Sequence, residues 1–72
     1  MSLTIGEKIK ILLKRRGMTL AQLAELTGQS RQNISNKMSR DNFTEKETIE
    51  IAKALNCDFA TVFIMKDTGE EI

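Results

Sequence analysis

Arg31, Gln32, Ser35 and Asn36 are hydrogen-bonding side chains separated by one, three and one positions along the chain, a spacing that gathers them on one face if the segment is helical. Together they offer a planar guanidinium, two carboxamides and a hydroxyl, groups suited to the edges of nucleic-acid bases. Arginine can grip guanine at O6 and N7, and glutamine or asparagine can grip adenine at N6 and N7, each through two hydrogen bonds. Ile34 and Met38 are four residues apart and fall on a different, apolar face. Ser30 can cap such a helix, so the polar cluster sits at its N-terminal end. Arg31, Gln32, Ser35 and Asn36 are therefore candidates for base contact. An ordinary amphipathic helix of an all-α domain has the same pattern, and these residues alone leave both readings open.

The elements that must hold this helix are legible on either side. In Leu20 to Ser39, LAQLAELTGQSRQNISNKMS, an earlier helix capped by Thr19 turns Leu23, Ala24 and Thr27 inward, and small Ala24 permits close approach of the next helix. Gly28 supplies the left-handed backbone position that a tight turn needs. The whole looks like a helix-turn-helix, in which the start of the second helix enters the major groove.

Three pairs, Thr4 with Glu7, Thr19 with Gln22 and Thr44 with Glu47, fit the reciprocal capping box that satisfies orphaned N–H groups at a helix start. They predict helices over about 4–16, from Thr19, and over about 45–56. The helix capped by Ser30 has Asn33 at the corresponding place. A carboxylate there would repel DNA phosphates, so its absence suits a helix end that faces DNA. Helix 1 carries Ile5, Ile9, Leu12 and Leu13 as its inward stripe and ends at Gly17; helix 4 turns Thr48, Ile51, Ala52 and Leu55 inward; Phe43 anchors the loop before it.

The order Leu23-Ala24, Gly28, Ser30, Gln32, Ile34-Ser35, followed by Ile51-Ala52-Lys53-Ala54-Leu55-Asn56, is similar to the Cro/C1-type (XRE) family of bacterial and phage repressors. The likeness covers about residues 5–57. It implies an all-α fold, a lambda-repressor-like bundle of four to five helices whose second and third form the DNA-reading unit. Arg31, Gln32 and Asn36 match the family's base-reading positions. Thr19, Gln29, Ser30, Lys37, Arg40, Asn42 and Lys46 are the candidates for phosphate contact. The resemblance also implies a homodimer on a near-palindrome, with half-sites about 34 Å apart. Two positions depart from the pattern: Leu20 stands where many members carry a phosphate-contacting glutamine, and Lys37, followed by Met38, where many carry a large apolar residue.

With 72 residues the chain is one domain, near the lower size at which a single core suffices. The net charge is only +1, but it is unevenly placed. Residues 1–40 hold eight basic against two acidic side chains, a net of +6, and residues 41–72 hold three against eight, a net of −5. Such polarity suits a domain that meets phosphates with one end. Within the basic half, Lys14-Arg15-Arg16 also suits the negative C-terminal end of helix 1.

One cysteine and no histidine leave no intrachain disulfide and no Cys/His zinc site, and Cys57 reads as a small core residue. No P-loop, nucleophile elbow or paired cysteines are present, and Ser30 and Ser35 have no general base nearby in sequence. The expectation is a non-enzyme without cofactor or metal. No apolar run approaches the roughly twenty residues of a membrane span, so a soluble, cytoplasmic protein is expected.

Residues 1–57 are thus read as the DNA-binding domain and 58–72 as a tail. In the tail Thr61-Val62-Phe63-Ile64-Met65 is β-branched and aromatic, and Asp67-Thr68-Gly69 is turn-like. A fifth helix using Phe59, Val62 and Phe63 is an alternative, but a short strand is favoured. Its partner strand would come from residues 70–72 or from a second copy, which makes the tail the candidate dimerisation element. The functional expectation is a sequence-specific double-stranded DNA-binding transcriptional regulator, a repressor acting as a dimer. The competing reading is a protein-interaction or antitoxin-like module that keeps the helix-turn-helix as scaffold and binds a protein partner through the tail.

Overall fold

Capping and burial together explain where each helix begins, ends and packs. The computed structural model describes residues 3–72, so Met1 and Ser2 of the expected first segment lie outside the described residues. Four helices follow in order: α1 Ile5–Arg16, α2 Leu20–Leu26, α3 Arg31–Arg40 and α4 Glu45–Ala54. All three capping boxes form, with Thr4, Thr19 and Thr44 each accepting from the backbone N–H three residues on. In α1 the Thr4 N–H also donates to Glu7 at 2.9 Å. That bond, with the Thr4 hydroxyl, holds the exposed Glu7 carboxyl below its ordinary pKa. Its contribution is present while Glu7 is ionised and is lost as pH falls through the lowered value.

Gly17 closes α1 and Gly28 makes the turn after α2, both in the left-handed region, where a Cβ would be strained. α3 continues to Arg40, two residues past Met38, and Met38 packs half-buried against the core. α4 ends at Ala54 with Leu55 as its cap, a little earlier than the capping pattern predicts.

The core is Ile9, Leu13, Leu23, Ala24, Ile34, Ile51 and Leu55, one or two side chains from each helix. Leu12, Leu20, Phe43 and Cys57 pack half-buried around it. α3 packs against both α1 and α2, and α4 against α2. Thr48, the buried polar residue among these, donates its hydroxyl to the Thr44 carbonyl at 2.9 Å.

Two long-range contacts fix α1 to the end of α3. Asp41, left-handed at φ 52°, accepts on Oδ1 from the N–H groups of Ile5 and Gly6 at 3.0 and 3.4 Å. It thereby satisfies two first-turn donors that Thr4 does not reach. At the same crossing a Cβ built on Gly6 would lie 2.8 Å from the Met38 carbonyl oxygen, a backbone atom with no room to yield. An alanine in a helix interior ordinarily adds stability over glycine. Gly6→Ala is expected to do the reverse, destabilising by about 1–3 kcal/mol as α1 is forced away from α3. A urea unfolding midpoint above that of the parent would show that the crossing is not tight.

Arg16 makes the matching tie at the other end of α1. Its Nε donates to the Leu55 carbonyl at 2.9 Å and its Nη2 to the Asn56 carbonyl at 3.1 Å. The guanidinium meets the carbonyl end of α4, where a cation is favoured.

Beyond Cys57 the chain is not helical. Phe63 and Ile72 exchange both backbone hydrogen bonds at 2.9 Å, Met65 N–H donates to Glu70, and Ile64 bridges Glu71 in antiparallel fashion. The tail is therefore extended, and 70–72 supply the partner segment. The hairpin is too short to form a regular sheet.

Candidate DNA-reading surface

α3 is presented by its apolar side. Ile34 is fully enclosed at 0% exposure, and its burial against the residues of α1, α2 and α4 turns the rest of the helix outward. Arg31, Gln32, Ser35 and Asn36 are all exposed, as is Asn33. Ser30 accepts from the Asn33 N–H at 3.0 Å and no acidic side chain stands in the first turn. The helix start therefore offers its positive dipole end without a competing carboxylate.

Two carboxamides on this exposed face are linked. Gln32 Nε2 donates to Asn36 Oδ1 at 3.3 Å, one helical turn apart. One turn earlier, Asn33 Nδ2 donates to Gln29 Oε1 at 3.0 Å, fastening the turn to the helix. These bonds limit the rotamers open to the side chains in the free protein. Each amide keeps further donor and acceptor capacity.

The phosphate candidates divide by how occupied they are. Arg40, Asn42 and Lys46 are exposed. Thr19 and Ser30 use their hydroxyls as caps, and Gln29 is half-buried and bonded to Asn33. Lys37 is half-buried and forms an ion pair with Glu47 of α4. Glu47 has two tasks, since its other oxygen accepts from the Thr44 N–H at 3.0 Å. Lys37 therefore ties the middle of α3 to the start of α4, and its charge is partly compensated before any phosphate arrives. Leu20, in place of the family's frequent glutamine, is half-buried against the core.

Three contributors escaped the sequence reading. Lys10 of α1 lines an open cleft with Leu20, Ser35, Met38 and Ser39, so a basic side chain from α1 flanks α3. Heptad-like spacing on α1 signals only that Lys10 is outward. Asp41 and Gly6, described above, set the position of α3 from its far end, and neither carries a local sequence signal for that role. Arg16, by contrast, leaves the basic cluster for a structural role.

The sequence profile of the Cro/C1-type helix-turn-helix DNA-binding domain matches residues 8–68. The chain belongs to that family. The chain is also 34% identical over 64 residues to the competence pilus inhibition repressor of Acinetobacter baylyi, with 88% of this chain covered. The aligned part is 58% of that repressor, so the chain spans under two thirds of its relative's length. No solved structure matches the chain. Within the Cro/C1-type frame, α2 and α3 are the helix-turn-helix. No group of metal-ligating side chains is present among the described residues, and no helix among them is long and apolar enough to cross a membrane.

Proposed function

We propose that this chain is a sequence-specific double-stranded DNA-binding transcriptional repressor that places α3 in the major groove. The observation that carries the reading is the division of α3: Ile34 enclosed in the core, with Arg31, Gln32, Ser35 and Asn36 exposed together in a family of DNA-binding domains. Arg31 reads a guanine, Gln32 or Asn36 an adenine, and Ser35 adds a weaker groove contact. Thr19, Gln29, Ser30, Arg40, Asn42 and Lys46 hold the phosphate backbone, with Lys37 sharing its charge between Glu47 and DNA. Such contacts set register on the duplex without carrying sequence information.

A single reading helix covers only a few base pairs. Two copies on a near-palindromic operator, with half-sites about one helical turn apart, supply the remaining specificity. Repression follows by occupancy of the site, and the name of the Acinetobacter relative favours repression over activation. The protein acts where the DNA is, in the cytoplasm, without catalysis.

One observation favours the interaction-module reading: Phe63 and Ile64 are 83% and 63% exposed, more apolar surface than a free tail requires. Selection of duplexes from a randomised pool at near-physiological salt separates the two. Enrichment of a two-fold symmetric motif is expected. A folded protein that enriches nothing would transfer the case to a protein partner of the tail.

A further inference from the structure

One cation of α3 is held back by a carboxylate. The chain has eleven basic side chains, and among the described residues Lys37 alone forms a salt bridge, with Glu47. Lys37 follows Asn36 directly on α3, so it stands next to the face proposed to meet the bases. Both partners are largely shielded, with side chains 25% and 22% exposed, and such a pair is screened less than an open surface one. Its two halves differ in freedom. The Glu47 carboxylate accepts from the Thr44 N–H at 3.0 Å, and the Glu47 N–H donates to the Thr44 hydroxyl at 3.1 Å, which fixes the acid at the start of α4. Lys37 carries its three donors on a flexible four-carbon stem. Packing does not demand the pair, since Met38 supplies the apolar contact with the core, and a partly exposed pair adds little to stability. Its larger consequence is electrostatic.

We propose that Glu47 is a specificity-determining residue: it withholds Lys37 from loosely bound duplex and shares it with a phosphate only when the operator seats α3 fully in the groove. The proposal rests on the DNA-binding function above and gives it a means of rejecting random sequence. Binding to random DNA is essentially all phosphate electrostatics, so one cation compensated in advance removes a sizeable part of it. In a loose complex a phosphate lies too far away to compete with a carboxylate already in contact. In the seated complex the base contacts fix the distance between α3 and the backbone. Lys37 can then bond a phosphate oxygen with one donor and keep Glu47 with another. Arg40, exposed on the same helix and without a salt bridge among the described residues, has no such restraint and attracts every duplex.

Glu47→Gln isolates the charge, because glutamine serves at the same place in a capping box and can still accept from the Thr44 N–H. Parent and variant are titrated against the selected operator and a random duplex over a range of salt, with helical circular dichroism as the check on folding. For Glu47→Gln the affinity for random duplex is expected to rise about three- to tenfold, and its salt slope to steepen by about 0.9, the value of one phosphate contact. Operator affinity should rise less, so the ratio between the two narrows. Lys37→Met supplies the converse: it should lower operator affinity more than random-duplex affinity, whereas an ordinary phosphate contact lowers both alike. Equal gains on both duplexes for Glu47→Gln, or no change in random-duplex affinity and slope, overturn the role of Glu47 while a discriminating parent leaves the DNA-binding function standing. A gain of the same size in a Lys37→Met background also overturns it, since the acid would then act by repelling phosphate directly. A folded parent that binds no duplex overturns both.

Discussion

Arg31→Ala is expected to lower affinity for the selected operator by roughly 1–3 kcal/mol and to relax preference at a single base pair. The expectation follows from position. Arg31 is the first residue of α3, exposed, and has no carboxylate within ion-pair distance among the described residues. Its guanidinium is therefore free for two hydrogen bonds to one base. Arg40, at the other end of the same helix and also exposed, supplies the control. Arg40→Ala should weaken all duplexes alike and reduce the salt dependence of binding by about one counterion. Titration of both variants against operator and random duplex at two salt concentrations reads the difference. Equal losses on both duplexes for both variants would sink the assignment of Arg31 to a base.

The largest loss of stability is expected from Ile34→Ala, at about 2–5 kcal/mol. Ile34 is wholly enclosed, and its side chain is what holds α3 against the rest of the bundle. For a domain of this length the total stability is roughly 4–11 kcal/mol, so the variant sits near unfolding at ordinary temperatures. Ile34→Val removes one methylene and should cost only about 0.5–1.5 kcal/mol. A chemical-denaturation series across the two reads both numbers, and an alanine variant as stable as the valine one would mean that the site collapses around the gap. Operator binding should fall with the folded fraction in both, because Ile34 touches no base. That separates it from Arg31→Ala, which should bind weakly while fully folded.

Local chemistry fixed the helix starts. Each threonine followed by Glu or Gln at the third position became a reciprocal cap, because both partners lie within one turn and need nothing from the rest of the chain. The apolar stripes were equally legible: Ile9 and Leu13 on α1, and Ile51 and Leu55 at α4, are each four apart and buried on one face. The extended tail could be anticipated from its β-branched run and the turn at Asp67-Thr68-Gly69, where Gly69 is indeed left-handed at φ 76°. What the run could not say was which partner its strand would meet, since an extended segment can pair with 70–72 or with a second copy.

Contacts between residues far apart in sequence were not legible. Asp41 reads as an ordinary loop residue until α1 is placed over it, 35 and 36 positions away. Gly6 reads as a weak spot in a helix until the Met38 carbonyl arrives beside it. Lys37 and Arg16 belong by composition to the basic half, yet one is paired to Glu47 and the other is bonded to the end of α4.

The sequence by itself determined the four helices, the identity of the inward residues and the polar side chains at the start of α3, because capping and amphipathic period act within a turn or two of the chain. The tertiary structure alone decided which charges remain free and how α3 is held: by Asp41 and Gly6 at its far end, by Ile34 in the core and by Lys37 on α4. Those outcomes depend on distances between helices, and distance across a fold is set by the packing of all the helices at once.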